Sequence, residues 1–154
     1  MAKDMTFEEF SNFINERAES INDNLEKAMN ICGEKIRSDI QDSMSHTPRN
    51  MDVGYHTGSK TKIHHPSLPE NPPAPDTGNL RQSIRYEVNN EYNRVVGIVG
   101  STQKNPDYAF WLEWGTSKMA PRPWLRPAMR KNNQFIKNTI AKAVVNSLTG
   151  GNKW

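Results

Sequence analysis

The chain has 154 residues, one cysteine, 34% hydrophobic residues and a formal net charge of +3. This length suits one domain with a real core, and a lone Cys32 excludes an intramolecular disulfide framework and fits a reducing compartment. No run of residues is apolar enough to span a bilayer, and the acidic start MAKDMTFEEF lacks the apolar run of a signal peptide, so the expectation is a soluble, cytosol-made protein without membrane contact.

The charge is unevenly spread. Residues 1–42 hold ten acids and five bases, residues 43–114 seven of each, and residues 115–154 eight bases and no acid. The low apolar fraction points to a long unpacked segment or to a fold completed by neighbouring subunits.

Residues 1–44 read as one long helix. Thr6 and Glu9 have capping-box spacing, in which each side chain satisfies a free amide at the helix start. Phe7, Phe10, Ile14, Ile21, Leu25, Ala28, Cys32, Ile36 and Ile40 then recur at spacings of three and four, which makes one apolar stripe. Gly33 is expected to weaken or bend the helix. At about 1.5 Å per residue the helix exceeds roughly 50 Å, so part of its stripe is expected to rest on something other than its own domain.

Residues 45–79 read as a long loop, rich in Pro, Gly, Ser and His and without a sustained period. A mobile segment is expected between Ser45 and Asp76. Two strands follow: Leu80, Ile84, Tyr86 and Val88 include a period-two run, and RVVGIVG from Arg94 is a second, with NNEYN as the hairpin connection. Gly97 suggests a bulge or a close approach of backbone. Tyr108 to Trp114 reads as a short helical turn ended by Gly115. A last helix spans about Pro127 to Leu148, with Met129, Ile136, Ile140, Val144 and Leu148 on one face. Residues 149–154 form a tail. The expected fold class is α+β, with both long helices packed on one small antiparallel sheet.

Sites of chemistry are sparse. GYHTGSKT at Gly54 has three residues between its glycines and a serine before its lysine, so it fails the phosphate-loop spacing. His46, His56, His64 and His65 fit no zinc-ligand pattern and read as solvated loop residues. Ser83 and Ser101 lack a nucleophile-elbow context, and the acids form no evident general acid/base pair. Glu113, between two tryptophans, reads as a local cap or the partner of an arginine such as Arg122 or Arg126. No enzyme, cofactor or metal is expected.

The stretch YAFWLEWGTSKMAPRPWLRPAM, Tyr108 to Met129, holds three of the four tryptophans. Tryptophan and arginine on stiff, proline-rich backbone suit a protein interface. The alternative is a small basic nucleic-acid-binding protein, in which Arg122, Arg126, Arg130 and Lys131 neutralise phosphates. No helix-turn-helix, zinc or RNP signature supports it.

Three motifs in order carry a resemblance: PDTGNLRQSI at Pro75–Ile84, YAFWLEWGT at Tyr108–Thr116, and PRPWLRPAM at Pro121–Met129. Together they resemble the neck proteins of tailed bacteriophages, the small head–tail joining or tail-completion proteins of long-tailed phages. The positions that match are Thr77, Gly78, Leu80, Ser83 and Ile84; Tyr108, Ala109, Glu113, Trp114, Gly115 and Thr116; and Arg122, Pro123, Trp124, Leu125, Pro127 and Ala128. Tryptophans stand where that family more often has phenylalanine, and the histidine-bearing loop is longer.

The resemblance implies a structural virion protein rather than an enzyme, built in the host cytoplasm and carried in the neck. It implies a homo-oligomeric ring, a hexamer or dodecamer. The neighbours it implies are a head-completion or connector protein and a tail terminator or tail tube protein, with genomic DNA passing through the lumen. The motif residues, together with Arg126, are then candidates for the subunit interface. Arg130, Lys131 and Lys137 are candidates for facing DNA in the lumen, unless the basic third meets the acidic segment of another copy.

Overall fold

The structure, a computed structural model, describes residues 5–56, 63–91, 94–102 and 106–149. The architecture is α+β, organised around one helix, α1 (Phe7–Ser45). Its start is fixed by the expected capping box: the Glu9 amide donates to Thr6 Oγ1 at 3.2 Å, and the Thr6 amide donates to a Glu9 carboxylate oxygen at 2.8 Å. Asn24, Ala28, Cys32, Ile36, Ile40 and Met44, spaced by four, are buried, while Phe7, Phe10 and Ile14 at the other end are exposed. The stripe is therefore continuous in sequence but only its second half is covered.

The segment after α1 is not featureless. It contains a short antiparallel pair, β1 (Tyr55–His56) with β2 (Ile63–His64). Amide donors tie it down: Asn50 to Pro66 O at 2.7 Å, Leu68 to Pro48 O at 3.0 Å, and Glu70 to Pro121 O at 2.9 Å. Apolar content is low here, and backbone hydrogen bonding does the ordering. Of the segment expected to be mobile, Ser45 to Asp76, residues 57–62 lie outside the described residues.

Leu80, expected in a strand, lies instead in a short helix, α2 (Asn79–Ser83), which follows Gly78 at φ 81°. Its side chain still joins the core. The main sheet is the antiparallel hairpin β3 (Ile84–Glu91) and β4 (Arg94–Ser101), in unbroken register from Ile84 opposite Ser101 to Glu91 opposite Arg94. The expected connection NNEYN is mostly strand, and only residues 92–93 fall outside the described residues. Two sheets are thus present where one was expected.

Both anticipated glycine effects resolve as close approach. A Cβ on Gly33 would lie 2.6 Å from Tyr86 Cδ2, and one on Gly97 would lie 2.7 Å from Met29 Cε. These two positions let α1 and the hairpin pack at short range. The helix runs through Gly33 unbroken, and β4 carries no bulge at Gly97.

After α3 (Pro106–Trp114), the chain closes with α4 (Leu125–Thr149), antiparallel to α1. Asn132 Nδ2 donates to Asp39 Oδ2 at 2.8 Å near one end, and Asn24 Nδ2 donates to Ser147 Oγ at 2.8 Å near the other. The face of α4 that is buried differs from the expected apolar stripe. Ala128, Asn132, Thr139, Ala143 and Ser147 are buried, one position round from Met129, Ile136, Ile140, Val144 and Leu148. Small and polar side chains let the two backbones come close, and the polar ones find partners across the seam. The larger residues flank the seam, with Met129 and Leu148 exposed. Within this α+β arrangement α1 is the spine shared by the hairpin and α4.

Candidate functional site

The tryptophan- and proline-rich stretch forms the corner between α3 and α4, packed on the carboxyl-terminal half of α1. Ala109, Leu112, Trp124 and Ala128 join Ile36, Ile40 and Met44 in one buried cluster. Trp124 is 5% exposed, and its Nε1 donates to Ala109 O at 3.1 Å, so the indole fills the core and satisfies its polar atom.

Glu113 organises the corner. It is buried on α3, and its carboxylate accepts three amides from the start of α4: Trp124 at 2.7 Å, Leu125 at 2.9 Å and Arg126 at 3.0 Å. A helix start leaves four amides without an internal partner. Here three go to one carboxylate from another helix, and the fourth residue, Pro127, has no N–H to satisfy. The first turn of α4 contains no acid of its own. Arg126 completes the arrangement by donating from Nε to Glu113 Oε1 at 2.8 Å and from Nη2 to Glu113 O at 2.9 Å. Burial pushes the Glu113 pKa up. The amides of Leu125 and Trp124, with Arg126, outweigh that and hold it below the usual carboxylate value. The carboxylate is fully engaged in structure.

The remaining motif positions shape the turns around this clasp. Gly115 has φ +78°, and a Cβ there would lie 2.8 Å from Met119 O, so only glycine fits. The Thr116 amide donates to Met119 O at 2.9 Å, closing the turn. The Arg122 amide donates to Leu112 O at 2.6 Å, and its Nε donates to Ser67 O at 3.3 Å, which ties the corner to the loop after α1. Of the two arginines proposed as partners of Glu113, Arg126 is the one; Arg122 serves the loop. Leu125 packs partly buried against the core, with Pro123 ahead of it in the connector. The Thr77 hydroxyl accepts weakly from the Asn79 amide, at 3.4 Å, before α2. The Ser83 and Ser101 hydroxyls bond each other at 2.7 Å across the hairpin mouth.

The sequence profile of one protein family, described as "Bacteriophage HK97-gp10, putative tail-component", matches residues 8–115. The chain belongs to that family. It is therefore one of the neck and tail proteins of tailed phages, as the three motifs implied. No curated protein and no solved structure matches the chain. The matched span of this HK97-gp10-like chain includes Glu113 and stops at Gly115, just before the segment whose amides that carboxylate clasps.

Beyond the clasp, α3 turns an aromatic face outward. Phe110, Trp111 and Trp114 are 60%, 45% and 56% exposed, and Tyr108 is also exposed. The Arg126 guanidinium lies over the Trp114 ring, 3.9 Å from its centroid, so the ring is held in place although it faces solvent. The clustered tryptophans thus have two roles that composition did not separate: Trp124 is core, while Trp111 and Trp114 are surface.

The candidate DNA-facing residues do not form one strip. Arg130 and Lys137, seven apart, share a face of α4, while Lys131 is turned toward α1, with Nζ 3.6 Å from Asp39 Oδ1. Among the histidines, His64 departs from the expectation of a solvated residue. It is 6% exposed and 3.7 Å from Asp76. Burial pushes its pKa below the usual value, against the pull of Asp76. Among the described residues no group of three or more potential ligands could hold a metal ion, and no helix is long and apolar enough to cross a membrane.

Proposed function

We propose that this chain is a structural protein of the phage neck, assembling as a homo-oligomeric ring between the head connector and the tail tube through which DNA passes. One observation carries the reading beyond family membership: among the described residues, clusters of large aromatic side chains are left open at the amino-terminal end of α1 and on α3, in a chain that is otherwise poor in apolar residues. Contiguous exposed apolar surface marks interaction sites. On this reading the protein is not an enzyme. Its buried carboxylate, Glu113, is committed to capping a helix, and its hairpin serines are committed to each other.

The test is native mass spectrometry and negative-stain microscopy of the purified protein across a concentration series. A closed species of fixed copy number supports the ring. A monomer at all concentrations, or an open-ended ladder of sizes, counts against it.

The nucleic-acid-binding reading keeps one point in its favour, the acid-free run of bases from Gly115 onward. It requires binding to free duplex DNA with a steep salt dependence. A ring that releases DNA on ejection requires weak binding instead.

A further inference from the structure

The two exposed aromatic clusters, on α1 and on α3, lie at opposite ends of α1. One is its own amino-terminal end. Among the described residues the covering helix α4 ends at Thr149, and near that end the Ser147 carbonyl accepts from Arg17 Nη1 at 3.2 Å while its hydroxyl donates to Ser20 O at 3.2 Å. Phe7 to Glu16, a stretch about 15 Å long, projects past that point. Phe7, Phe10 and Ile14 fall within one sector of the projecting turns and are 88%, 52% and 47% exposed. The other surface is the α3 face, which packs where α1 ends, beside Ile36, Ile40 and Met44. Some 30 Å of helix separates Ile14 from Ile36. One chain cannot bring its two surfaces together.

Charge selects how two chains would meet. Residues 7–16 hold three acids, Glu8, Glu9 and Glu16, and no base. The corner that bears the aromatic face, residues 106–131, holds five bases and two acids, one of which, Glu113, is already clasped. Projection against projection would oppose acids to acids, and face against face would oppose Lys118 and Arg126 to themselves. Projection against face pairs opposite charges around an aromatic centre.

Resting on the ring proposed above, we infer that the projecting turns Phe7–Glu16 of one copy seat on the Phe110–Trp114 face of the next. Such a contact joins different surfaces head to tail, so an open series keeps one unfilled surface of each kind at its two ends, and these meet when the rotation between copies closes the series into a ring. The acidic first helix and the basic last third then meet across the subunit boundary.

The test uses two full-length variants that each lose one surface: Phe7→Ser with Phe10→Ser, and Phe110→Ser with Trp111→Ser. All four positions are exposed, and an unchanged unfolding midpoint checks that each variant folds. Each alone should stay monomeric where the parent forms rings, with at least a hundredfold weaker association. Mixed, they retain one intact surface apiece of opposite kinds and should form 1:1 dimers and nothing larger. Lys118→Glu, at an exposed position in the turn that follows α3, serves as a second face variant should the first not fold, and should weaken assembly at least tenfold at low salt. If the parent forms rings and both variants do as well, or the mixture gives no dimer, this contact is wrong while the ring stands. A parent that never assembles removes both.

Discussion

Replacing Glu113 with alanine should be among the most damaging single changes to this fold, and the structure sets the size. The substitution strands the Trp124 amide, which is buried, and loosens the Leu125 and Arg126 amides, which are partly exposed and can turn to water. A buried donor left unpaired costs about 1–3 kcal/mol, and loss of a helix cap costs about 1 kcal/mol. The ion pair with Arg126 adds little, because the arginine side chain is 41% exposed and screened. The sum is about 3 kcal/mol, a fall in midpoint of roughly 6–12 °C for a chain of this size. Arg126→Ala removes the exposed partner but leaves all three amides satisfied, and should cost about 1 kcal/mol or less. Thermal and urea unfolding followed by circular dichroism measures both. The pH dependence has a definite sign. With its folded pKa held below the unfolded value, Glu113 contributes stability above the ordinary carboxylate pKa that is lost as pH falls through the folded one. Glu113→Gln should remove part of that acid sensitivity. Equal, small costs for Glu113→Ala and Arg126→Ala would refute the clasp.

Three further outcomes follow from the packing. Gly33→Ala should destabilise by about 1–2 kcal/mol in urea unfolding, although alanine is the better helix former, because the added carbon meets Tyr86; a gain in stability would show that the helix and hairpin are not so close. Trp124→Ala should cost about 3–5 kcal/mol, whereas Trp111→Ala should leave the monomer's midpoint within a degree or two and act on assembly alone. For His64, the unfolded chain takes up a proton at a higher pH than the folded one. Stability present above about pH 6.5 is therefore lost as pH falls through the unfolded value toward the lower folded one. Between pH 7.5 and 5.5 the urea midpoint should drop, and His64→Gln should flatten that drop.

The parts of this fold legible in sequence are those set by local pattern. Thr6 and Glu9 announce the start of α1, Gly115 the end of α3, and period-two runs the hairpin, because each depends on neighbours in the chain. What was not legible depends on contacts far apart in sequence. The stripe of α4 was placed one position off, since the seam with α1 is closed by Ala128, Ala143 and Ser147, small residues that carry no hydropathy signal. His64 looked solvated because nothing nearby in the chain shows that Asp76 and Arg122 pack around it. The role of Glu113 left a trace. A helix beginning Trp-Leu-Arg-Pro has no capping side chain of its own, and the last acid in the chain stands eleven residues before its cap position. An uncapped helix start with a lone acid upstream is the signal that points to such a clasp.

The claim that the chain joins head to tail is tested most directly in the phage itself, by electron microscopy of a lysate in which its synthesis is conditionally blocked. The account predicts DNA-filled heads and completed tails that accumulate unjoined, with joining restored when purified parent protein is added and not when the Phe110→Ser, Trp111→Ser variant is. Intact, infectious virions in the absence of the protein would contradict it.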